Sequence, residues 1–179
     1  DWDPYRNLVA YYKFDGTAAD STKFENDGET TGPISFQQYG VSGTSDTFDD
    51  SFLLNGERIR VPTSDSLNNL GPVTLSFWLK FEDDQGTGAT TLYTGNGCQL
   101  EIDKNSNTLL FSITMNFQSL EFDSGLPVPP DQCVHVGLVD DGTTTAVFIS
   151  DATGTRKAAF ETPGDLHYPP SSLRIGGFD

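Results

Sequence analysis

A strict alternation of apolar and polar residues in the segment VTLSFWLK limits what this chain can fold into more than any other feature. Its apolar residues recur at every second position, at Val73, Leu75, Phe77 and Leu79. A period of two residues is that of a β-strand with one buried face. Trp78 lies on the opposite face, and apolar groups on both faces are typical of a central or covered strand. We therefore predict a core strand over residues 73–81, with Trp78 as a core residue.

The rest of the chain repeats this pattern in short segments separated by polar turns. Leu54, and then Ile59 and Val61 after an Asn-Gly turn, alternate with polar residues. Further strands are predicted at residues 8–14, 34–39, 92–93, 99–102, 109–115, 117–122, 134–139, 146–150, 157–161 and 173–175. Residues 15–32 and 40–50 are too rich in Gly, Asp and Thr to form elements. About twelve strands without a clear helix predict either two packed antiparallel sheets or a closed barrel.

The length and the net charge of the chain limit the classes of protein to which it can belong. At 179 residues the chain is predicted to be one domain, 1–179, with a sizeable core. Its net charge of −16 comes from 26 acidic and 10 basic residues. This excludes a basic nucleic-acid reader and argues against binding to an anionic membrane surface. The excess acid is explained by solubility, by divalent-cation binding or by a salty extracellular setting.

The origin of the chain and the state of its two cysteines each have more than one interpretation. No signal peptide and no membrane span is visible. The chain starts at Asp1 without Met, which predicts a processed product or a piece of a longer protein. Cys98 and Cys133 form no CxxC motif, so a zinc or redox site is not expected. They either pair with each other or stay as free thiols.

The order of several motifs resembles the laminin-G-like domains of the concanavalin A-like lectin/glucanase superfamily. LVAYYKFDG, followed by AADS and NDG, is similar to the opening of such domains. LLNGERIRVPTSDSLNNLGPVTLSFWLKF resembles their central signature, VHVGLVDDGTTTAVFISD their hairpin, and LRIGG a late strand. The resemblance covers most of the chain, and it implies an all-β, jelly-roll sandwich of two antiparallel sheets.

The resemblance also implies a strand that this chain does not contain. Such domains close with a strand after IGG that pairs beside the opening strand, whereas this chain ends at Asp179. The strand at 8–14 is therefore expected to lack a neighbour, which leaves its backbone groups open to pairing. Either the native protein continues beyond residue 179, or a partner chain completes the sheet next to residues 8–14.

A calcium site is implied at the loop after the opening strand. The matching residues are Asp15, Asp20 and Asp27, with Asn26 nearby. Calcium takes six to eight oxygen ligands, which a loop of Gly, Asp and Asn can supply. The alternative is that these residues only make turns.

Catalysis is not expected. Glucan-hydrolysing relatives of this fold carry alternating carboxylates on one strand, and Glu101-Ile102-Asp103 matches only in part, because Asn105 stands at the third position. Glu121-Phe122-Asp123 has the same defect. These side chains are interpreted as solvent-facing strand residues, and neither His135 nor His167 has the partners of a catalytic triad.

The expected function is carbohydrate recognition by a secreted or cell-surface binding module. Sugar sites combine aromatic rings with planar polar groups, and Tyr93, His167 and Tyr168 are the predicted ligand-binding residues. The loops at 83–94 and 164–171 are the predicted place for the site. The alternatives are a structural or adhesive domain that binds protein, and a relative of the glycoside hydrolases.

Overall fold

The structure is a computed structural model, and it describes most of the chain. The described residues are 7–32, 35–37, 51–53, 57–68, 72–82, 86–95, 97–115, 118–162 and 171–176. Within them the chain forms one helical turn, α1 (Asp65–Asn68), and thirteen strands. No helix in these ranges is long and apolar enough to cross a membrane.

The strands form two large antiparallel sheets and a small third one. The strands are β1 (Glu29–Thr31), β2 (Ser35–Gln37), β3 (Ser51–Leu53), β4 (Arg58–Val61), β5 (Val73–Lys80), β6 (Ala89–Gly95), β7 (Cys98–Asp103), β8 (Thr108–Met115), β9 (Gln118–Pro127), β10 (Cys133–Asp140), β11 (Thr144–Asp151), β12 (Gly154–Glu161) and β13 (Leu173–Ile175). The seven-stranded sheet has the order β1-β4-β13-β6-β7-β8-β9, and the four-stranded sheet has the order β12-β11-β10-β5. β2 and β3 pair separately. The prediction of an all-β sandwich of two antiparallel sheets is confirmed.

The main hydrophobic core lies between the two large sheets. It contains residues of β7 and β8 from one sheet, such as Leu100 and Phe111, and residues of β10 and β11 from the other, such as Val136 and Ile149. Alternation explains this arrangement, since β7 buries every second residue and leaves those between only half-buried. A smaller cluster around Ile59 and Leu67 packs beneath the opening segment.

The strand β5 confirms one part of the prediction for residues 73–81 and corrects another. Leu75, Phe77 and Leu79 pack against the main core, as the alternation predicts. However, β5 lies at the edge of the four-stranded sheet as described, not in its centre. The prediction that Trp78 is a core residue is wrong, because its side chain lies on the outer face and is 51% exposed.

The predicted strand at residues 8–14 is also wrong. In this segment the structure has a single isolated bridge, between Tyr12 and Asp20. Side chains of the following loop satisfy its backbone instead, since Asp20 accepts from the Tyr11 N–H and the Asn26 amide donates to the Val9 carbonyl. A strand needs a neighbouring strand for its ladder, and this segment folds on its own loop.

Two elements lie outside the predicted strands. β1 falls inside the polar stretch 15–32, where it pairs with β4. α1 begins after Ser64, whose carbonyl accepts from the N–H groups of Leu67 and Asn68. Both elements are short, so their sequence signal is weak.

The two cysteines are free thiols. Cys98 lies in β7 and Cys133 in β10, on different sheets. Burial raises the pKa of the Cys98 thiol to about 12, so this side chain remains a neutral thiol that packs in the core.

Candidate functional site

The loop predicted to bind calcium is organised around the carboxylate of Asp20. Its Oδ1 accepts hydrogen bonds from the N–H groups of Tyr11 (2.9 Å) and Thr22 (2.9 Å). Its Oδ2 accepts from the Thr22 hydroxyl (2.7 Å) and from the Asn26 N–H (3.0 Å). The side chain is only 9% exposed. Burial alone would raise the pKa of Asp20, but these four donors lower it below its ordinary value.

Asn26 joins this loop to the segment around α1. Its side-chain amide donates to the Val9 carbonyl (2.7 Å) and to the Ser66 hydroxyl (3.0 Å). Its side-chain oxygen accepts from the hydroxyl of Ser64. The Tyr12 hydroxyl donates to the Asn26 carbonyl (2.6 Å). Asn26 is buried and bonded on both sides, so it holds residues 7–28 in place without a β-ladder.

These contacts already use the carboxylate oxygens of Asp20 that a calcium ion would need. Both oxygens of Asp20 already accept two hydrogen bonds each, and Asp27 Oδ1 accepts from the Asp20 N–H (2.8 Å). Asp15 is exposed. In the described part of the chain, no group of three His, Cys, Asp or Glu side chains could hold a metal ion. Calcium binding by Asp15, Asp20 and Asp27 therefore stays a prediction from the sequence.

Of the three predicted ligand-binding residues, the described part of the chain includes only Tyr93. Tyr93 lies within β6 and packs against both hydrophobic clusters. Burial raises the pKa of its hydroxyl, which is typical of a side chain held in the interior. His167 and Tyr168 lie outside the described residues. Their role in binding stays a prediction.

The carboxylates considered for glycoside hydrolysis are already engaged by neighbouring side chains. Glu101 points away from the core, and its Oε1 accepts from Gln99 (2.7 Å) and from the Thr91 hydroxyl (3.0 Å). Asp103 closes the following turn, where it accepts from Asn105 and Ser106. Hydrogen bonds from these two residues lower the pKa of Asp103.

The outer face of the seven-stranded sheet is polar and charged. Residues paired across neighbouring strands form one continuous row on this face. The row consists of Glu29, Arg60, Arg174, Thr94, Gln99, Ser112 and Glu121. Arg60 and Glu29 also form an exposed ion pair (3.1 Å). Hydrogen-bonding groups of this kind are ordinary for a solvated sheet face.

The outer face of the four-stranded sheet is different, because it displays an aromatic side chain. We call the outward side chains of β5, β10, β11 and β12 around Trp78 the Trp78 surface. Trp78 pairs across the strands with His135, which pairs in turn with Ser150 and then Thr155. The adjacent row holds Ser76, Gly137, Phe148 and Lys157.

The side chain of Trp78 packs against that of its neighbour on β10, His135. The rings of Trp78 and His135 meet edge to face, with centroids 5.3 Å apart and planes at 62°. The Ser76 hydroxyl lies 2.7 Å from His135 Nε2. These contacts orient the imidazole beside the indole, and they leave about half of Trp78 in water.

A second aromatic ring lies on the Trp78 surface two strands away. Phe148 packs beside Gly137, where an added Cβ would lie 3.8 Å from Phe148 Cδ2. The Lys157 ammonium is 5.4 Å from the Phe148 ring centroid. Because residue 137 is a glycine, no side chain rises from the outer face of the sheet at this position beside Phe148.

The Trp78 surface carries few charges. Its outward positions include Lys80, Lys157 and Glu161, and no arginine. By contrast, the outer face of the seven-stranded sheet carries two arginines and two glutamates in a single row. The two faces are thus suited to ligands of different chemistry.

The Trp78 surface had a signal in the sequence. Trp78 lies on the same face of β5 as the polar residues Thr74, Ser76 and Lys80, and not on the face of the apolar residues that contact the core. Alternation places His135 outward in β10 in the same way. The position of Trp78 in the alternation, rather than its hydrophobicity, predicts the observed exposure.

Comparison with known families agrees with this fold. Residues 54–177 match a laminin-G family described as part of the concanavalin A-like lectin/glucanases superfamily. The chain belongs to this superfamily. The resemblance of the sequence motifs to laminin-G-like domains is confirmed. None of the proteins with curated descriptions matches the chain.

Solved structures of the concanavalin A-like type share the fold at low sequence identity. Domain 4 of AbnA, a GH43 extracellular arabinanase from Geobacillus stearothermophilus solved in complex with arabinotriose, has a TM-score of 0.67 and 17% identity. That match covers 94% of this chain and 82% of the other. The binding domain of botulinum neurotoxin serotype D has a TM-score of 0.55 and 16% identity, over 94% of this chain and 43% of the other. At these identities the likeness concerns the fold alone.

Proposed function

We propose that this protein is a non-catalytic carbohydrate-binding module of a secreted or cell-surface protein, and that the Trp78 surface is its binding site. The observation that carries the proposal is the exposed indole of Trp78 on the outer face of the four-stranded sheet. An exposed indole offers a large, rigid apolar face with a polar N–H, which suits it to contact a ligand. The superfamily and the arabinotriose complex of the AbnA domain support a sugar as the ligand.

The chemistry of the Trp78 surface suits a sugar ring. The apolar face of a pyranose or furanose ring stacks on an indole, and its hydroxyl groups need donors and acceptors beside that indole. Ser76 and His135 supply them next to Trp78. If Ser76 donates to Nε2, then Nδ1 of His135 carries the proton and acts as a donor, and in the other tautomer Nδ1 accepts.

The proposal is tested by affinity electrophoresis through gels that contain neutral polysaccharides. The wild-type protein is expected to be retarded by at least one of them. Trp78→Ala is expected to weaken binding about 30-fold, because loss of a central aromatic anchor costs about 2 kcal/mol. Phe24→Ala is the matched control, since Phe24 is also exposed, at 40%, but lies in the opening loop. Equal retardation of the wild type and a folded Trp78→Ala protein would contradict the proposal.

The proposal that the module is non-catalytic rests on the engagement of its carboxylates. Glu101 and Asp103 are both hydrogen-bonded to neighbours on the sheet face or in the turn. We expect no release of reducing ends when the protein is incubated with the polysaccharides that it binds. Turnover that is lost in Glu101→Gln would instead support a glycoside hydrolase.

A structural or adhesive role remains the alternative proposal. It would use a partner chain beside residues 8–14, but the N–H and carbonyl of Tyr11 are already bonded to Asp20 and Ser21. A concentration-dependent dimer in sedimentation velocity, lost on changing Leu8 to Asp, would favour this alternative. Leu8 is suited to the test because it is 39% exposed.

A further inference from the structure

The Trp78 surface holds two aromatic rings that a single sugar unit cannot contact together. Trp78 belongs to β5, and Phe148 belongs to β11, with β10 between them. Neighbouring strands lie about 4.8 Å apart, so the two side chains are separated by about 10 Å across the sheet. A ligand that uses both rings must therefore span more than one sugar unit.

Gly137 lies on the path between the two rings. It is paired with Ser76 on one side and with Phe148 on the other. Gly137 is itself buried, and a larger side chain at this position would rise from the outer face beside Phe148. A sugar chain would pass above Gly137 and beside His135 on its way from Trp78 to Phe148.

Polar groups accompany this path, and most of them are uncharged. The hydroxyls of Ser150 and Thr155 lie 2.8 Å apart at its far side, and Ser76 with His135 lies at its near side. Lys80 lies 3.6 Å from Glu82, and Lys157 sits over Phe148. The outward positions of these four strands hold no arginine, the side chain that binds a carboxylate or sulfate through two parallel hydrogen bonds.

Charge on the whole molecule also disfavours an acidic ligand. The net charge of −16 repels polyanions at a distance. Neutral ligands are not affected by this repulsion.

We infer that the Trp78 surface binds internal units of an extended neutral polysaccharide, which lies across the strands from Trp78 over Gly137 to Phe148. This inference rests on the proposed function and adds the class and length of its ligand. The chain stacks one unit on the indole of Trp78, and a later unit contacts the half-buried ring of Phe148 beside the Lys157 ammonium.

The test is a chain-length series measured by isothermal titration calorimetry. The probes are arabino-, cello- and manno-oligosaccharides from disaccharide to hexasaccharide, with polygalacturonate and heparin as acidic polymers. For the series that binds, affinity is expected to rise at least about tenfold with length, because the second ring is reached by a chain that is already held. The acidic polymers are expected not to bind.

Variants separate the steps of the inference. Phe148→Ala is expected to remove the gain from longer oligosaccharides and to leave disaccharide binding unchanged, whereas Trp78→Ala removes both. Gly137→Val is expected to block the longer ligands, and Gly137→Ala, which adds only a methyl group in ordinary contact, serves as its milder control. Circular dichroism checks that each variant is folded.

The outcomes distinguish failure of the inference from failure of the proposed function. Glycan binding that needs Trp78 but does not depend on chain length, or that is unchanged in both Phe148→Ala and Gly137→Val, would overturn the extended path alone. Stronger binding of heparin or polygalacturonate would overturn the neutral class. Binding of no glycan at all would overturn the proposed function and this inference with it.

Discussion

Phe77 and Trp78 are neighbours in β5, and their side chains lie on opposite faces of the four-stranded sheet. Phe77 packs against the main core, whereas Trp78 is exposed on the outer face. We expect Phe77→Ala to lower the free energy of unfolding by about 3 kcal/mol, since a large core side chain is removed. We expect Trp78→Ala to lower it by about 1 kcal/mol or less. Urea denaturation measures both, and a larger loss for Trp78→Ala would contradict the assigned faces.

Asp20 stabilises the opening segment by accepting four hydrogen bonds from its neighbours. An asparagine there keeps the shape but loses the charge and one accepting oxygen. We expect Asp20→Asn to lower the free energy of unfolding by about 2 kcal/mol at neutral pH, because hydrogen bonds to a charged group are strong. Asp15→Asn is the control, since Asp15 is exposed, and should change stability little.

The same carboxylate makes stability depend on acid pH. The pKa of Asp20 is lowered in the folded protein relative to an ordinary value of about 3.9 in the unfolded chain. Its contribution is therefore complete above about pH 4 and is lost as the pH falls through the folded pKa. Urea midpoints between pH 7 and about pH 2 should thus fall more steeply for the wild type than for Asp20→Asn. Parallel curves would contradict this role of Asp20.

At the scale of residues, the position of a residue in the alternation predicts its burial better than its hydrophobicity does. The apolar residues of odd number in β5 were predicted correctly because they agree in both respects. Trp78 is predicted to lie in the core because apolar groups on both faces are typical of a central strand, although Trp78 shares its face with polar residues. The exposure of a large aromatic side chain costs burial energy, and sequence patterns alone do not show where a protein accepts that cost.

At the scale of elements, close packing joins β6 to β13. A Cβ added at Gly95 would lie 2.4 Å from Leu173 Cδ2 and 3.3 Å from the Leu173 Cα. We expect Gly95→Ala to lower the free energy of unfolding by about 2 kcal/mol, because the strands must shift to admit the methyl group. Gly137→Ala, which makes only contacts of 3.8 Å or more, should change it by less than about 1 kcal/mol. Similar losses in the two variants, measured by thermal denaturation, would count against this packing.

The opening segment shows the limit of element prediction from sequence. LVAYYKF has the composition of a strand, and its apolar residues do pack, with Val9 and Tyr12 in the smaller cluster. Its hydrogen bonds go to Asp20, Asn26 and Ser21 instead of a neighbouring strand. Whether a strand forms depends on the available partner, and no local pattern contains that information.

At the scale of the whole molecule, the sandwich was predictable, and what the sequence does not show is which residues the fold brings together around Trp78. Alternation and the order of motifs are properties of the sequence, and they gave two antiparallel sheets. The Trp78 surface is assembled from β5, β10, β11 and β12, whose pairing is fixed by the fold. Residues separated by more than fifty positions, such as Trp78 and His135, meet only after these strands have paired.

Calcium dependence is a property of the whole molecule that scanning calorimetry can measure. Because the oxygens of Asp20 already accept hydrogen bonds, we expect the melting temperature to be the same in calcium and in chelator. A rise in melting temperature with calcium, absent in Asp27→Asn and retained in Glu161→Gln, would contradict this expectation. It would support the calcium site predicted from the sequence.

The most direct measurement uses the fluorescence of Trp78 itself. The chain contains two tryptophans, so Trp2→Phe leaves Trp78 as the sole indole. Titration of this variant with a neutral polysaccharide that retards it in gels should shift the Trp78 emission to shorter wavelength and protect it from acrylamide quenching. Retardation of the variant without any change in emission or quenching would contradict the placement of carbohydrate on the Trp78 surface.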